Sequence, residues 1–251
     1  TIMFSATLLP VNYFKEMLSG NADDYAVYAH SPFDTDNKRV LIGRDVTSRY
    51  TRRNYNEYTK IAGYIHTLTQ SKQGKYMIFF PSYSYMREVY DIYIQKYACN
   101  VIDLHDVEDL SEGENVLIQD NNMTEADKEN FLSVFMDNTS GNVTGFCVLG
   151  GIFSEGIDLR DKSLIGACIV GTGIPMICRQ RNILRNYFDS IGKNGYQYAY
   201  VFPGMNKGII LLLDDRFMTQ EYQMQYPREW DKVYPVDINN TGKCIEDFWR
   251  L

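Results

Sequence analysis

An α/β fold, with a mostly parallel sheet held between helices in three layers, is what the 251 residues predict. Two observations carry this reading. Short, near-continuous apolar runs such as residues 76–80 read as strands buried on both faces. Segments with apolar residues at helical spacing, such as residues 56–68, alternate with them. No internal repeat or low-complexity linker interrupts the alternation.

Taken in order, residues 1–7 read as a strand running into a turn, and residues 11–18 have helical spacing after Pro10. Residues 25–29 and 40–42 are weak, short runs suited to edge strands. Tyr58, Ile61, Ala62, Ile65 and Leu68 form one stripe on a helix. Residues 76–80 are the first buried strand, followed by a helix over 84–97 with Ser82 or Ser84 as its cap. Residues 101–104 and 116–118 are the next strands. A helix over 124–136 opens on Thr124 with Asp127 three residues on, a variant of the capping box. Residues 145–149 and 164–170 are strands, and 176–191 is a helix after Pro175. Residues 208–213 read as the last strand, with the aromatic tail after Tyr226 packing back on the body.

One junction breaks the pattern. Residues 196–202 are apolar and aromatic enough for a strand, yet only Pro203-Gly204-Met205-Asn206-Lys207 separates them from the strand over 208–213. A parallel crossover needs roughly a dozen residues. Either the pair forms a hairpin, or a segment is absent between Lys207 and Gly208.

Composition narrows the function classes. A hydrophobic fraction of 45% supports a globular core and excludes disorder. No apolar run reaches the roughly 18 residues of a membrane helix, so no membrane partner and a soluble, cytoplasmic protein are expected. The start, Thr1-Ile2-Met3-Phe4, lacks the features of a secretory signal and begins mid-strand, as a fragment would. The 5 cysteines are widely spaced, with no C-x-x-C pair, and read as reduced core thiols. A net charge of −7 argues against coating nucleic acid through bulk charge. It leaves room for a local basic track, from Arg44, Arg49, Arg52 and Arg53 or from Arg179, Arg181 and Arg185.

No phosphate-cradling G-x-x-x-x-G-K-[ST] loop and no Asp-Glu-x-His box occurs. The histidines lack metal spacing, and no Gly-x-Ser-x-Gly elbow is present. Three segments rise above this background. Ser5-Ala6-Thr7-Leu8 places hydroxyls at a strand's carboxyl end, where α/β sheets bind ligands. Phe79-Phe80-Pro81-Ser82-Tyr83 ends a buried strand at a helix start, which suits a phosphate as well as a plain cap. Gly150-Gly151-Ile152-Phe153-Ser154-Glu155-Gly156-Ile157-Asp158-Leu159 follows a strand. Its glycines allow close backbone approach, and its carboxylates can accept from a ribose, a water or an arginine.

In this order the segments resemble the C-terminal domain of the DinG-type and XPD-like superfamily 2 DNA helicases. The resemblance extends through Ala29–Phe33, the Ile-Val-Gly-Thr-Gly-Ile-Pro run to Pro175, residues 200–207 and Leu211-Leu212-Leu213-Asp214-Asp215-Arg216-Phe217, almost the whole chain. It implies a RecA-like domain, the second of two motor domains that unwind DNA with ATP and Mg²⁺, generally 5′→3′. Residues 1–20 would then be the end of the first motor domain or a linker, and residues 21–251 the second motor domain. Glu155, Gly156 and Asp158 would line the nucleotide cleft, and Ser5 and Thr7 would couple ATP state to DNA grip. Ser82, Tyr83 and Arg179 would lie on the single-stranded DNA track. The Walker loop, and in many members a [4Fe–4S] cluster, belong to the first domain, outside this chain. Motif VI, Gln-x-x-Gly-Arg-x-x-Arg, would fall at the Lys207–Gly208 junction, and its arginines stabilise charge on the γ-phosphate. Two other readings follow from the same likeness: the motor part of a helicase–nuclease, or a non-catalytic nucleic-acid-binding module.

Overall fold

Tyr76, Ile78 and Phe80 face one side of their strand while Met77 and Phe79 face the other, and both sides are covered. That strand, β2 (Lys75–Phe80), lies inside a sheet whose described pairings are all parallel. The computed structural model describes residues 2, 11–21, 23–27, 38–97, 99–105, 110–136, 141–153, 164–172, 210–223 and 232–249, with a few isolated positions between. Among these the other strands are β1 (Val40–Gly43), β3 (Asn100–Val101), β4 (Glu114–Ile118), β5 (Asn142–Val148), β6 (Gly166–Val170), β7 (Ile210–Leu213) and β8 (Val233–Val236). Their order across the sheet is β3-β4-β5-β2-β6-β7-β1-β8.

The described helices are α1 (Val11–Leu18), α2 (Tyr55–Gln70), α3 (Tyr83–Tyr97), α4 (Glu125–Met136), α5 (Gln220–Gln223) and α6 (Thr241–Trp249). α2, α3 and α6 cover one face, where Ile61, Tyr64, Tyr93 and Ile245 pack against Ile78, Phe146 and Leu211. α4 covers the other face near β5, with Phe131 and Phe135 against Met77 and Cys147. Farther along that face Phe217 closes over Val40, Ile42 and Leu212. The three-layer α/β arrangement is thus the one the alternation of strands and helices predicts.

The local signals behave as physical chemistry requires. Ile61, Ala62, Ile65 and Leu68 are buried, and the Asn54 side chain caps α2 by accepting the Glu57 N–H. Ser82, not Ser84, caps α3, its hydroxyl accepting the Tyr85 N–H at 3.4 Å. Thr124 and Asp127 exchange hydrogen bonds at the start of α4, so Asp serves the capping box.

Four expectations need correction. The run over 101–104 pairs only at Asn100–Val101, because the Asp103 carboxylate accepts the His105 N–H and turns the chain away. β1 is not an edge strand, since β7 and β8 flank it. β7 is not the last strand either. β8 follows it and takes the edge beyond β1, where Pro235, which lacks an N–H, is tolerated. Residues 25–27 form no strand. The expected strand over 196–202 and the Lys207–Gly208 junction lie outside the described residues. So do the strand over 1–7, apart from Ile2, and most of the helix over 176–191.

Gly74-Lys75 is not a phosphate loop. Lys75 starts β2 at the amino edge of the sheet, and its buried ammonium donates to the carbonyls of Val134 and Phe135 at 2.9 Å each. α4 has no basic residue in its own last turn, so Lys75 supplies the cation its carboxyl end favours. Lys75→Met should lower stability by about 2–4 kcal/mol, because two buried carbonyls lose a charged donor. Urea denaturation checks this, and an unchanged midpoint would refute the capping role.

Candidate functional site

A parallel sheet delivers the carboxyl ends of its strands to one edge, where α/β proteins bind their ligands. Here the loops after β2, β5, β6, β7 and β1 emerge side by side at that edge. After β2 the chain crosses to β3 on one side, whereas after β6 it continues to β7 on the other. The boundary between β2 and β6 is therefore a topological switch point.

Gly171 marks the end of β6 with φ +88°, a left-handed conformation suited to glycine. A Cβ there would stand 2.6 Å from Ser48 Oγ and 3.7 Å from Pro81 Cγ. The loops after β1, β2 and β6 thus meet at one point.

Ser82 and Tyr83 leave the end of β2 and begin α3, both partly exposed. The Tyr83 hydroxyl accepts a hydrogen bond from Gln119 Nε2 at 2.9 Å. Gln119, fully buried just beyond β4, also accepts the Val148 N–H through Oε1 at 2.9 Å. One amide therefore ties the start of α3 to the end of β5. The turn that follows β5 has Gly150 at φ +71°, and a Cβ on Gly151 would stand 2.8 Å from Gln119 Nε2. Phe153 then enters the core and stacks on Phe131 at 4.2 Å. The first four residues of the glycine-rich segment are thus pinned between Gln119 and Phe131.

Glu155, Gly156 and Asp158, the residues assigned to a nucleotide, lie outside the described residues, as do Ser5, Thr7 and Arg179. Of the residues singled out by the family likeness for nucleotide or strand, Ser82 and Tyr83 are the described ones, and they are adjacent at the carboxyl edge.

Sequence reasoning assigned no role to the polar knot at the end of β7. Asp214 is 0% exposed, and its carboxylate receives Ser48 N–H at 2.8 Å and Ser48 Oγ–H at 2.7 Å. Arg216 clasps the same carboxylate, Nε at 2.7 Å and Nη2 at 2.8 Å, and Nη2 also donates to Ser48 Oγ at 2.8 Å. Burial would raise the Asp214 carboxyl, but the hydrogen bonds from Arg216 and Ser48 outweigh it and hold it below the usual carboxylate range. The signal was the Asp-Asp-Arg run directly after an apolar strand.

Cysteine chemistry is absent from this edge among the described residues. Cys147 and Cys168 are free and buried on opposite faces of the sheet, and burial pushes both thiols up. No group of three or more His, Cys, Asp or Glu among the described residues could hold a metal ion. No described helix is long and apolar enough to cross a membrane.

A model of the helicase C-terminal domain family matches residues 65–207, more than half of the chain. No curated protein matches. Two solved structures share the fold. An apo XPD is 18% identical with a TM-score of 0.57, over 80% of this chain and 40% of its own. An XPD helicase is 19% identical with a TM-score of 0.54, over 79% of this chain and 35% of its own. The chain therefore spans well under half the length of either, and at that identity the likeness is one of fold.

Asp214→Asn should destabilise the chain by about 2–4 kcal/mol at neutral pH, because it leaves Arg216 half-buried without its counter-charge. A depressed folded pKa means that stability is full above the unfolded carboxylate value, about 3.9, and is lost as pH falls through the folded one. The variant should lack that part of the acid loss, so its deficit against wild type narrows toward pH 3. Denaturant midpoints at pH 7 and pH 3 measure this, and a deficit independent of pH would contradict the assignment.

Proposed function

The chain belongs to the helicase C-terminal domain family, and from that premise we propose that it is the second motor domain of an ATP-dependent DNA helicase. Residues 21–251 form the motor domain in this reading, and residues 1–20 the end of the first motor domain or a linker. The family match is the observation that carries it. Support comes from the sheet polarity, since Ser82-Tyr83 and Gly150-Gly151, both inside the matched span, leave the same edge.

Glu155, Gly156 and Asp158 face the nucleotide, and Ser5 and Thr7 couple its state to the strand. Ser82, Tyr83 and Arg179 grip single-stranded DNA. The described start of the glycine-rich segment fits such a face. Gly151 has no room for a side chain beside Gln119, so backbone borders the edge, and Phe153 fixes the turn before Glu155. Magnesium ATP, held mainly by the first domain, supplies the free energy of phosphoanhydride cleavage. This chain contributes the acceptor carboxylates of Glu155 and Asp158 and closes the cleft against water. Alternate closing and opening of the two domains moves the strand 5′→3′. An iron–sulfur cluster, carried by many members of the resembling family, belongs in this reading to the first domain, outside this chain.

A second reading, a non-catalytic strand-binding module, draws on one sequence feature: no Gln-x-x-Gly-Arg-x-x-Arg occurs. Steady-state ATP hydrolysis by the full-length protein, with and without single-stranded DNA, separates the two. The motor reading expects DNA-stimulated turnover that Glu155→Gln lowers roughly a hundredfold, with strand affinity retained. Strand binding without turnover would leave the module reading in its place.

A further inference from the structure

The basic run Arg44 to Arg53 is not used by the function proposed above, and its arginines are not equivalent. Arg44 is spent, since it donates to Asp237 at 2.8 Å. Arg53 is turned inward, with Nε on the Ser48 carbonyl at 3.0 Å and its guanidinium 4.1 Å above the Tyr85 ring. Arg49 and Arg52 are different. Their side chains are 48% and 54% exposed. Their nearest carboxylates stand at 3.7 and 3.9 Å on Asp215 and 3.7 Å on Glu57. These are ion pairs longer than hydrogen bonds, and half-exposed guanidiniums so placed can exchange a carboxylate for a phosphate. Glu57 meanwhile accepts the Thr47 N–H at 2.9 Å, which keeps its carboxylate on the inner side.

Between the two arginines stands Tyr50, 84% exposed. A 3-10 turn over Tyr50–Arg52 fixes the order of the three, closed by Arg52 N–H on the Arg49 carbonyl at 2.9 Å. This turn follows β1 at the carboxyl edge. It joins the start of α3 through Arg53 on Tyr85, whose own N–H is capped by Ser82. Half-exposed cations flanking an exposed aromatic ring, on a chain of net negative charge, match the chemistry of single-stranded nucleic acid: phosphates for the guanidiniums and a base for the ring.

We propose that the loop after β1 is a strand-binding subsite in which Arg49 and Arg52 bind backbone phosphates and Tyr50 stacks on a base. It rests on the motor reading and extends the track of Ser82 and Tyr83 across the ends of β6 and β7. The contacts are to backbone and ring face, so the subsite reads no sequence.

The test is binding of a fluorescent oligothymidylate to the full-length protein across a salt titration. Arg49→Ala/Arg52→Ala should weaken binding and reduce the slope of log affinity against log salt by about 1.4, roughly 0.7 for each phosphate lost. Tyr50→Ala should weaken binding roughly five- to a hundredfold with the slope unchanged, and Tyr50→Phe should restore it. Arg44→Ala, which removes one charge from the same loop, should leave the slope as it was. An unchanged slope in the double variant overturns the proposal. So does a raised KM for ATP with intact strand binding, which would assign the arginines to nucleotide phosphates. In either case wild-type strand binding leaves the proposed function to be decided by DNA-stimulated turnover, whereas a wild-type protein that binds no strand takes both down.

Discussion

In the described sheet every paired strand runs the same way, and this common polarity determines where the rest of the chain can go. Parallel neighbours cannot be joined by tight turns and need crossover connections. Both faces are therefore covered, by α2, α3 and α6 on one side and by α4 and the Phe217 segment on the other. The strands must then be apolar between their ends, as β2 after Lys75 and β7 are. Whatever remains polar collects at the two edges where strands begin and end.

Those edges are built differently. At the amino edge polar groups are consumed by the fold. Lys75 caps α4, and Glu114 accepts from the Tyr93 hydroxyl and from Thr144 and Gln70, each of the last two at 3.0 Å. Burial, reinforced by the Glu114 charge, pushes the Tyr93 hydroxyl well up, so it stays a donor. At the carboxyl edge the buried groups Asp214 and Gln119 bind loops to one another instead. Their hydrogen bonds join the loop after β1 to the end of β7 and β5 to α3, with Ser82 and Tyr83 half-buried and Arg49 and Arg52 half-exposed at the same edge. A rigid inner row thus holds a polar outer row, the arrangement that a site on loops needs to stay in register.

Much of the architecture was legible because it follows from local rules. The stripe on α2, the Thr124–Asp127 cap and the apolar run of β2 each depend on residues within one or two helical turns. For β1 and β8 the deciding partner is distant. β8 carries a proline, and its place in the sheet comes from β1, nearly two hundred residues earlier. The run over 101–104 is apolar enough for a strand, yet the Asp103 side chain captures the backbone first. The role of Lys75 is likewise set at a distance, by the α4 carbonyls of Val134 and Phe135.

The same division runs through the site. Sequence alone determined the fold class, the family likeness and the segments at which chemistry was expected, because strand ends, caps and glycine turns are written in short spans. Tertiary structure decided which of those segments meet. It placed Ser82-Tyr83 and Gly150-Gly151 on one edge, and it separated Arg49 and Arg52 from Arg44 and Arg53, which look alike as sequence. It also found Asp214, Ser48 and Gln119. A buried polar group is defined by partners far along the chain, and only packing brings those partners within hydrogen-bond distance.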